Sequence, residues 1–338
     1  MTNIKIGVVG AGSWGTALAN LLASKGFRTD FWVFEKEVRD QILEYRENRV
    51  FLPGFSLSEN LFPSNDLGRV VSNKDMVLIV VPSHVMRETT LKMAGLLSEK
   101  SIVVSASKGI ENGTRLTISG IIAETLPEIG KDHFAVLSGP SFAREVARQV
   151  PTAVVVASEN QDAARLVQEI FATPYFRVYT NDDIIGVELG GSVKNVIAIA
   201  AGITDGLGLG LNTRAALITR GLAEMGRLGA KLGANQRTFA GLAGMGDLVL
   251  TCTGDLSRNY TVGKNIGEGK TLREVLSEMR MVAEGVKTAK SVYNLSSSIG
   301  VEMPISHEIH HILYDDVSPK EAVYRLMTRD LRHEAEEC

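Results

Sequence analysis

The first fifteen residues constrain the fold of this 338-residue chain more than any other segment. The apolar run IKIGVV, residues 4–9, leads directly into GAGSWG, residues 10–15, and then into the helix-forming TALA. Each glycine of this G-x-G-x-x-G pattern has its own task. Gly10 permits a tight turn, Gly12 lets backbone N–H groups approach a pyrophosphate, and Gly15 allows the helix to pack closely on the strand. The pattern predicts a dinucleotide site at the N-terminus of the first helix.

An acidic residue further along the chain strengthens this prediction. Glu35 follows Gly15 by 35 − 15 = 20 positions, where the fingerprint places the carboxylate that accepts a hydrogen bond from the ribose 2′-OH. A glycine-rich turn alone is a weak signal, because such turns are common in loops. The preceding strand, the following helix and Glu35 together favour dinucleotide binding.

Composition and charge exclude several other classes. The chain is 44% hydrophobic and 22% charged, as in an ordinary globular protein, and its formal net charge is −3. This charge gives no general attraction to nucleic acid or to an anionic membrane, so we expect a small-molecule ligand instead. The N-terminus runs straight into a strand without a secretory signal, and no apolar run approaches the roughly 18 residues of a membrane span. Cys252 and Cys338 form no metal-type spacing, and these features together predict a cytoplasmic protein.

The alternation of apolar runs with helical segments predicts the fold class. Strand candidates are 4–9, 29–34, 76–81, 101–105, 134–137, 152–157 and 176–179. Such nearly continuous β-branched runs suit strands that helices cover on both faces, so we expect an N-terminal α/β domain with a doubly wound, Rossmann-like parallel sheet. After about residue 183 apolar residues recur at helical spacing. The expected division is a dinucleotide-binding domain, 1–183, and an all-α substrate and catalytic domain, 184–338.

Three segments of the second half carry polar residues suited to carbonyl reduction, which needs a proton donor beside the hydride. Lys194, within ELGGSVKNV, is either a surface lysine or an acid/base whose pKa burial and nearby cations lower. Asp247 follows the glycine-rich turn GLAGMG. The triplet Ser257-Arg258-Asn259 offers donors for a phosphate, or simply a helix cap with a solvated arginine.

Two loops of the first half follow strand candidates. Lys108 lies in SASKGI after the run 101–105, and SGPSFA, 138–143, follows the run 134–137. Open α/β sheets bind ligands at the carboxyl ends of their strands, so both loops are candidate anion-facing turns. Ordinary strand-to-helix loops explain them equally well.

The motifs GAGSWGTALA, SKGI, LSGPSFAREV, ELGGSVKNV, AGMGDL and SRN occur in this order over nearly the whole chain. Together they resemble the bacterial type of NAD(P)-dependent glycerol-3-phosphate dehydrogenase. The resemblance implies the reversible reduction of dihydroxyacetone phosphate to sn-glycerol 3-phosphate, which supplies glycerophospholipid synthesis. It also implies NAD(P)H as the cofactor and a homodimer as the assembly.

The resemblance assigns roles to individual positions. Implied cofactor contacts are Ser13, Trp14, Lys108, Ala143, Arg258, Val282 and Glu284, and implied substrate contacts are Lys108, Gly139, Ser141, Lys194, Asp247, Ser257, Arg258 and Asn259. Lys194 matches the catalytic acid/base, and we expect Asp247 to act beside it. As an ammonium, Lys194 would stabilise and protonate the ketone oxygen. The positive charges of Lys108 and Arg258 would favour the neutral form of Lys194, and Asp247 would favour the ammonium. The distances between these groups determine which form predominates.

One departure from the family pattern concerns the cofactor. Family members often read LWGRD at the end of the second strand, where this chain reads FWVFE, so Phe34 replaces the basic residue. Glu35 accepts from a ribose 2′-OH and would repel a 2′-phosphate, although Lys36 or Arg39 could compensate. We therefore expect NADH to serve at least as well as NADPH.

Two other functions stay open, and one further group of residues has the spacing of a metal site. A related dehydrogenase of another small keto or hydroxy acid could use the same lysine, and a non-catalytic NAD(H) sensor would bind cofactor without turnover. His307, His310 and His311 have the i, i+3, i+4 spacing of a zinc site. A polar helix face explains these histidines better, so the sequence predicts no metal.

Overall fold

The computed structural model describes residues 4–254, 256–279 and 283–334. The chain separates into two compact units. One comprises the chain up to Ser107 together with Ile118–Ile184, and the other comprises Lys108–Thr117 together with the chain from Ile185 onward. The predicted boundary near residue 183 is a single division, whereas the segment Lys108–Thr117 clusters with the helical unit.

The first unit is built on one sheet, to which eight strands of the described residues belong. The strands are β1 (Ile6–Val9), β2 (Thr29–Trp32), β3 (Leu61–Ser64), β4 (Met76–Ile79), β5 (Ile102–Ser105), β6 (Phe134–Ser138), β7 (Thr152–Ala157) and β8 (Phe176–Asn181). The helices are α1 (Ser13–Ser24), α2 (Lys36–Tyr45), α3 (Leu67–Val71), α4 (Met86–Met93), α5 (Ile118–Thr125), α6 (Ala143–Ala147) and α7 (Gln161–Phe171). The sheet order is β3-β2-β1-β4-β5-β6-β7-β8, which reverses direction between β1 and β4. That reversal is the switch point of a doubly wound fold, and it confirms the predicted class.

Burial explains the long apolar strand sequences. Every residue of β1, β4 and β5 is buried, as expected for central strands that helices cover on both faces. In β1, Ile6 lies opposite Thr29 of β2 and opposite Met76 of β4. These strands and α1 contribute to one continuous apolar core that includes Phe31 and Leu18.

The sheet differs from the prediction in two places. The strand β3 is absent from the prediction because its sequence, LFPS, is short and contains Pro63. Proline donates no ladder hydrogen bond and is tolerated on edge strands, and β3 lies at the edge of the sheet beside β2. In addition, β6 and β7 pair antiparallel, so the sheet is mostly rather than entirely parallel.

All the regular secondary structure among the described residues of the second unit is helical, as predicted. Its α-helices are α8 (Ile184–Gly206), α9 (Gly210–Lys231), α10 (Gln236–Phe239), α11 (Asp247–Thr253), α12 (Arg258–Gly267), α13 (Leu272–Glu278), α14 (Glu284–Ile299), α15 (Pro304–Tyr314) and α16 (Pro319–Met327). A π-helical turn, Leu242–Gly246, comes directly before α11. The core of this unit surrounds α8, whose Val193, Val196 and Ile197 are fully buried.

Helix α8 is long and apolar enough to cross a membrane, a property that inspection of the sequence did not reveal. However, 94% of its 18-residue apolar window is buried inside the protein. Burial by neighbouring helices accounts for this apolar character, as in the central helix of a folded domain.

Candidate functional site

The glycine-rich turn after β1 has the geometry that its sequence predicts. Gly10 has φ of +113°, a conformation that side chains rarely adopt. A Cβ atom at Gly15 would overlap the carbonyl oxygen of Gly10, so the start of α1 requires glycine there. At Gly12, in contrast, a Cβ would meet no atom of the described residues within 4 Å beyond its two chain neighbours. Packing of this unit therefore does not explain Gly12, which leaves room above the turn for a ligand.

The N-terminus of α1 is suited to a diphosphate. Its N-cap is Gly12, no side chain of the described residues caps the helix, and its first turn contains no acidic residue. The backbone N–H groups and the positive end of the helix dipole therefore favour an anion. The buried Asn48 holds the turn in place by donating to the Ala11 carbonyl at 2.9 Å and to Thr16 Oγ1 at 2.8 Å. Ser13 also donates to the Phe51 carbonyl, and the half-buried Trp14 packs against the core.

The end of β2 presents the two residues that distinguish this chain from its family pattern. Phe34 is 71% exposed and meets Trp32 edge to face, with 5.8 Å between ring centroids. Glu35 is exposed and is the N-cap residue of α2. Of the two cations that could compensate for its charge, Arg39 donates to Asp40 at 2.8 Å. The carboxyl ends of β1 and β2 lie at the same edge of the sheet, so Glu35 stands on the side of the glycine-rich turn.

The loop after β6 lies at this same edge, because β1, β4, β5 and β6 run parallel. Gly139 adopts φ of +134°, and a Cβ there would lie 3.0 Å from Val154 Cα. Ser141 donates to the Gly139 carbonyl at 3.0 Å, and Ala143 is the first residue of α6. The positive φ of Gly139 and its close approach to Val154 therefore require glycine at this position of the turn.

A buried charge cluster occupies the second unit. Asp247 is 1% exposed and accepts from two ammonium groups, from Lys194 to Oδ1 at 2.5 Å and from Lys108 to Oδ2 at 2.6 Å. Lys194 also donates to Thr251 Oγ1 at 2.7 Å. We call Lys108, Lys194, Asp247 and Thr251 the lysine cluster.

Close backbone packing brings the lysine cluster together. A Cβ at Gly190 would lie 2.5 Å from the Ala243 carbonyl oxygen, so only glycine lets α8 approach the π-helical turn this closely. Lys194 lies one helical turn after Gly190, and Asp247 lies the same number of residues after Ala243. The motifs ELGGSVKNV and AGMGDL thus meet because each carries a glycine at the contact.

Hydrogen bonds to the second unit hold the segment that carries Lys108. The Gly109 N–H donates to Ser192 Oγ at 2.8 Å, and Ser291 Oγ donates to the Ile110 carbonyl at 2.8 Å. Both serines are buried. This anchoring explains why Lys108–Thr117 belongs to the helical unit and how Lys108 reaches Asp247 across 139 positions of sequence.

The environment of Lys194 lowers its pKa from 10.5 to about 8. Burial is the largest cause because it disfavours the charged ammonium. Asp247 opposes the shift by attraction, and the positive charge of Lys108 adds to it. Among the opposing influences that the sequence left undecided, desolvation is therefore stronger than the single carboxylate.

The Ser-Arg-Asn triplet lies at the start of α12, and its position is compatible with both a helix cap and a set of phosphate donors. Ser257 is the N-cap and accepts from the Tyr260 N–H. Arg258 interacts with the carboxylate of Glu284, which begins α14. Asn259 is buried, donates to Asn195 Oδ1 at 2.8 Å and accepts from the Gly285 N–H at 2.9 Å. The triplet is a helix cap, and it also joins α12 to α8 and α14.

The structure adds residues that the sequence did not single out. Thr251 and Asn195 contact Lys194 and Asn259, respectively, and Ser192 anchors Gly109. Thr251 lies at i+4 from Asp247, which is the one sequence signal that could have identified it. Of the predicted cofactor contacts, Val282 lies outside the described residues.

The sheet order and glycine-rich turn of the first unit, followed by a helical unit with a buried lysine, define the class of NAD(P)-dependent dehydrogenases with a Rossmann-like sheet. Two family profiles match this chain, the NAD-dependent glycerol-3-phosphate dehydrogenase N-terminus over residues 5–164 and the C-terminus over residues 183–324. The chain belongs to the NAD-dependent glycerol-3-phosphate dehydrogenase family, which confirms the resemblance.

Individual relatives agree with this assignment. The chain is 58% identical over 330 residues to the glycerol-3-phosphate dehydrogenase [NAD(P)+] of Citrifermentans bemidjiense, which covers 98% of both chains. It is 56% identical over 331 residues to that of Syntrophobacter fumaroxidans, which covers 98% of this chain and 97% of the relative. A crystal structure of glycerol-3-phosphate dehydrogenase from Coxiella burnetii superposes with a TM-score of 0.93 at 43% identity. That match covers 97% of this chain and all of the other.

Proposed function

We propose that this protein catalyses the NAD(P)-dependent, reversible reduction of dihydroxyacetone phosphate to sn-glycerol 3-phosphate. The observation that carries the proposal is the lysine cluster, within a chain that belongs to this family. A lysine with a pKa near 8 is an effective proton donor and acceptor close to neutral pH.

The first unit would hold the cofactor. The open space at Gly12, the uncapped α1 N-terminus and the glycine-required contact at Gly15 support a diphosphate site there. Ser13, Trp14, Glu35 and Ala143 are its proposed further contacts in this unit, and Lys108, Arg258 and Glu284 those in the second. When bound, the nicotinamide supplies the hydride for C2 of the substrate.

Lys194 would move the proton. In the direction of reduction, its ammonium stabilises the negative charge that grows on the ketone oxygen and then donates a proton to it. In the direction of oxidation, neutral Lys194 accepts the hydroxyl proton. Asp247 and Thr251 keep Nζ at a fixed position through hydrogen bonds of 2.5 and 2.7 Å, so Lys194 does not search rotamers during the reaction.

The substrate phosphate needs cationic and amide donors. Arg258 and Asn259 stand together at the start of α12, and a guanidinium can bind phosphate through two parallel hydrogen bonds. Ser257 positions this helix start, and Lys108 adds positive charge beside Asp247. Gly139 and Ser141 are the proposed substrate contacts of the first unit.

Steady-state rates with NADH and with NADPH would test the proposal, using dihydroxyacetone phosphate and the Lys194→Ala variant. Turnover should fall by about 10²–10⁴-fold without the proton donor. Lys231→Ala, at the exposed last residue of α9, is the matched control and should retain wild-type turnover. Circular dichroism would establish that both variants fold.

The same assay separates the alternatives. Cofactor binding without turnover of any carbonyl substrate would indicate an NAD(H) sensor. Turnover of a keto acid in preference to dihydroxyacetone phosphate would indicate a related dehydrogenase and would overturn the proposed substrate.

The cellular role and assembly are part of the proposal. In the cell, the product would supply glycerophospholipid synthesis in the cytoplasm, and the enzyme would act as a homodimer. Size-exclusion chromatography with light scattering tests the assembly, and a mass near twice 36.5 kDa is the expected result.

A further inference from the structure

A cluster of two histidines and one aspartate lies at the C-terminal end of α15. His311 belongs to the last turn of the helix, His310 directly precedes that turn, and Asp315 is the C-cap residue. The Nδ1 atom of His311 lies 2.7 Å from Asp315 Oδ2, and the Nδ1 atom of His310 lies 3.6 Å from the same oxygen. The three potential ligand atoms lie within 4.8 Å of one another.

This set differs from the one that sequence spacing suggested. The Nε2 atom of His307 lies 2.8 Å from Ser296 Oγ and shares a hydrogen bond with it, so His307 already has a partner. Asp315 takes its place in the cluster because the chain turns back after α15. In that turn the N–H groups of Asp315 and Val317 both donate to the His311 carbonyl.

The ring of His310 is held in one orientation and has an unused nitrogen. It stacks on Tyr293 with 4.0 Å between centroids and 14° between planes. Its Nδ1 atom is buried and has no hydrogen-bond partner among the described residues. The lone pair of a neutral imidazole nitrogen can bind a metal ion.

We infer that His310, His311 and Asp315 form a binding site for a divalent transition-metal ion of the Zn²⁺ type. Tetrahedral bonds of about 2.0–2.1 Å place ligand atoms roughly 3.3 Å apart. The separations of 2.7 and 3.6 Å from Asp315 Oδ2 lie on either side of that spacing, so small side-chain movements suffice. Two imidazoles suit Zn²⁺ rather than Mg²⁺ or Ca²⁺, which prefer oxygen ligands.

The position of the site suggests a structural role. The ion would connect the last turn of α15 to its C-cap residue, and all three ligands lie within six consecutive residues. Such a short segment, already folded, loses little chain entropy on binding. One feature opposes the ion, because Lys290 places a positive charge near His310. Removal of that charge should therefore strengthen binding.

Isothermal titration of tag-free protein with Zn²⁺ at pH 7.5 tests the inference. Wild type should bind one ion per chain, and Asp315→Asn should weaken the affinity by tenfold or more because a ligand charge is lost. Asp316→Asn is the matched control, since it removes the neighbouring carboxylate without removing a ligand, and should leave the affinity within about twofold. Lys290→Gln should tighten binding, a gain that misfolding could not produce.

The absorption of bound Co²⁺ gives a second readout that is independent of enzyme activity. A tetrahedral site should give visible bands in wild type that are lost in His311→Gln and retained in His307→Gln. The inference is overturned if wild type binds no Zn²⁺ in the micromolar range. It is equally overturned if Asp315→Asn and Asp316→Asn bind the ion alike.

Discussion

The candidate ligand-binding sites of the two units are built in opposite ways. In the first unit the candidate site is made of backbone, from Gly10, Gly12 and Gly15 to the uncapped start of α1. In the second unit it is made of buried charge, where Asp247 holds two lysine ammonium groups at 1% exposure. The first arrangement depends on small residues at fixed local spacing, and the second depends on tertiary packing.

Because the two candidate sites are built differently, substitutions in them should cause different defects. At the glycine-rich turn, a substitution disrupts the site through steric overlap, because the added Cβ atom can displace the backbone of the turn. In the lysine cluster, a substitution changes the protonation of the remaining groups, because burial and neighbouring charges set the pKa of each group. Substitutions in the two units should therefore produce different kinds of defect, which the following experiments measure in order of expected effect.

The largest effect should come from Gly15→Ala in the first unit, compared with Gly12→Ala. At Gly15 the added methyl would overlap the Gly10 carbonyl oxygen, so we expect loss of more than about 4 kcal/mol of stability or of the folded unit itself. At Gly12 the methyl meets no atom of the described residues within 4 Å apart from its own chain neighbours, so the melting temperature should stay near that of wild type. Gly12→Ala should instead weaken NADH binding, measured by fluorescence titration. Equal melting temperatures for both variants would contradict the assigned roles.

A second experiment asks whether buried charge also stabilises the helical unit. Glu224 of α9 is 1% exposed and accepts from the Ile305 N–H at 2.5 Å and from the Ser306 N–H at 3.1 Å, in the first turn of α15. Glu224→Ala leaves both buried donors without an acceptor, so the free energy of unfolding should fall by about 2–4 kcal/mol. Glu224→Gln keeps one acceptor and should lose less.

Urea denaturation measures both Glu224 variants. The control is Glu278→Ala, which removes an exposed partner of Lys270 and should cost less than about 1 kcal/mol. If Glu224→Ala lost no more stability than Glu278→Ala, the carboxylate would not anchor α15.

The third experiment uses pH to examine Lys194. Because burial lowers its pKa to about 8, kcat/KM for reduction should fall as pH rises through about 8, and kcat/KM for oxidation should rise over the same interval. The attraction of Asp247 raises this pKa, so Asp247→Asn should move both inflections to lower pH, by about one unit. An inflection near the ordinary lysine value of 10.5 in wild type would contradict the role of burial.

The sequence was sufficient for the first unit because its signals are local. The run IKIGVV, the spacing of Gly10, Gly12 and Gly15 and the β–α alternation each depend on neighbours within a few residues, and they predict the sheet and its turn. Two features of the sheet were not predicted. Pro63 obscures the strand β3, which forms by tertiary pairing with β2, and the antiparallel pairing of β6 with β7 has no local signal.

The second unit shows what local signals leave out. Three residues of the lysine cluster, Lys108, Lys194 and Asp247, were candidates in the sequence, but 53 positions separate Lys194 from Asp247 and 139 separate Lys108 from Asp247. Their contact depends on the close approach at Gly190, and the pKa of Lys194 depends on burial by several helices. Neither the approach at Gly190 nor the burial of Lys194 can be obtained from sequence spacing, so the sign of the Lys194 pKa shift appears only in the structure.

The smallest effect should be a change of cofactor preference in the first unit, where one side-chain charge supplements the backbone site. Glu35 is exposed at the carboxyl end of β2, and its negative charge would repel a 2′-phosphate. Glu35→Gln should raise kcat/KM for NADPH relative to NADH by about fivefold, which corresponds to about 1 kcal/mol. Glu37→Gln, in the first turn of the same helix, is the matched control. If both variants shifted the ratio alike, the effect would come from the general charge around the α2 N-terminus, and cofactor selection would not depend on Glu35.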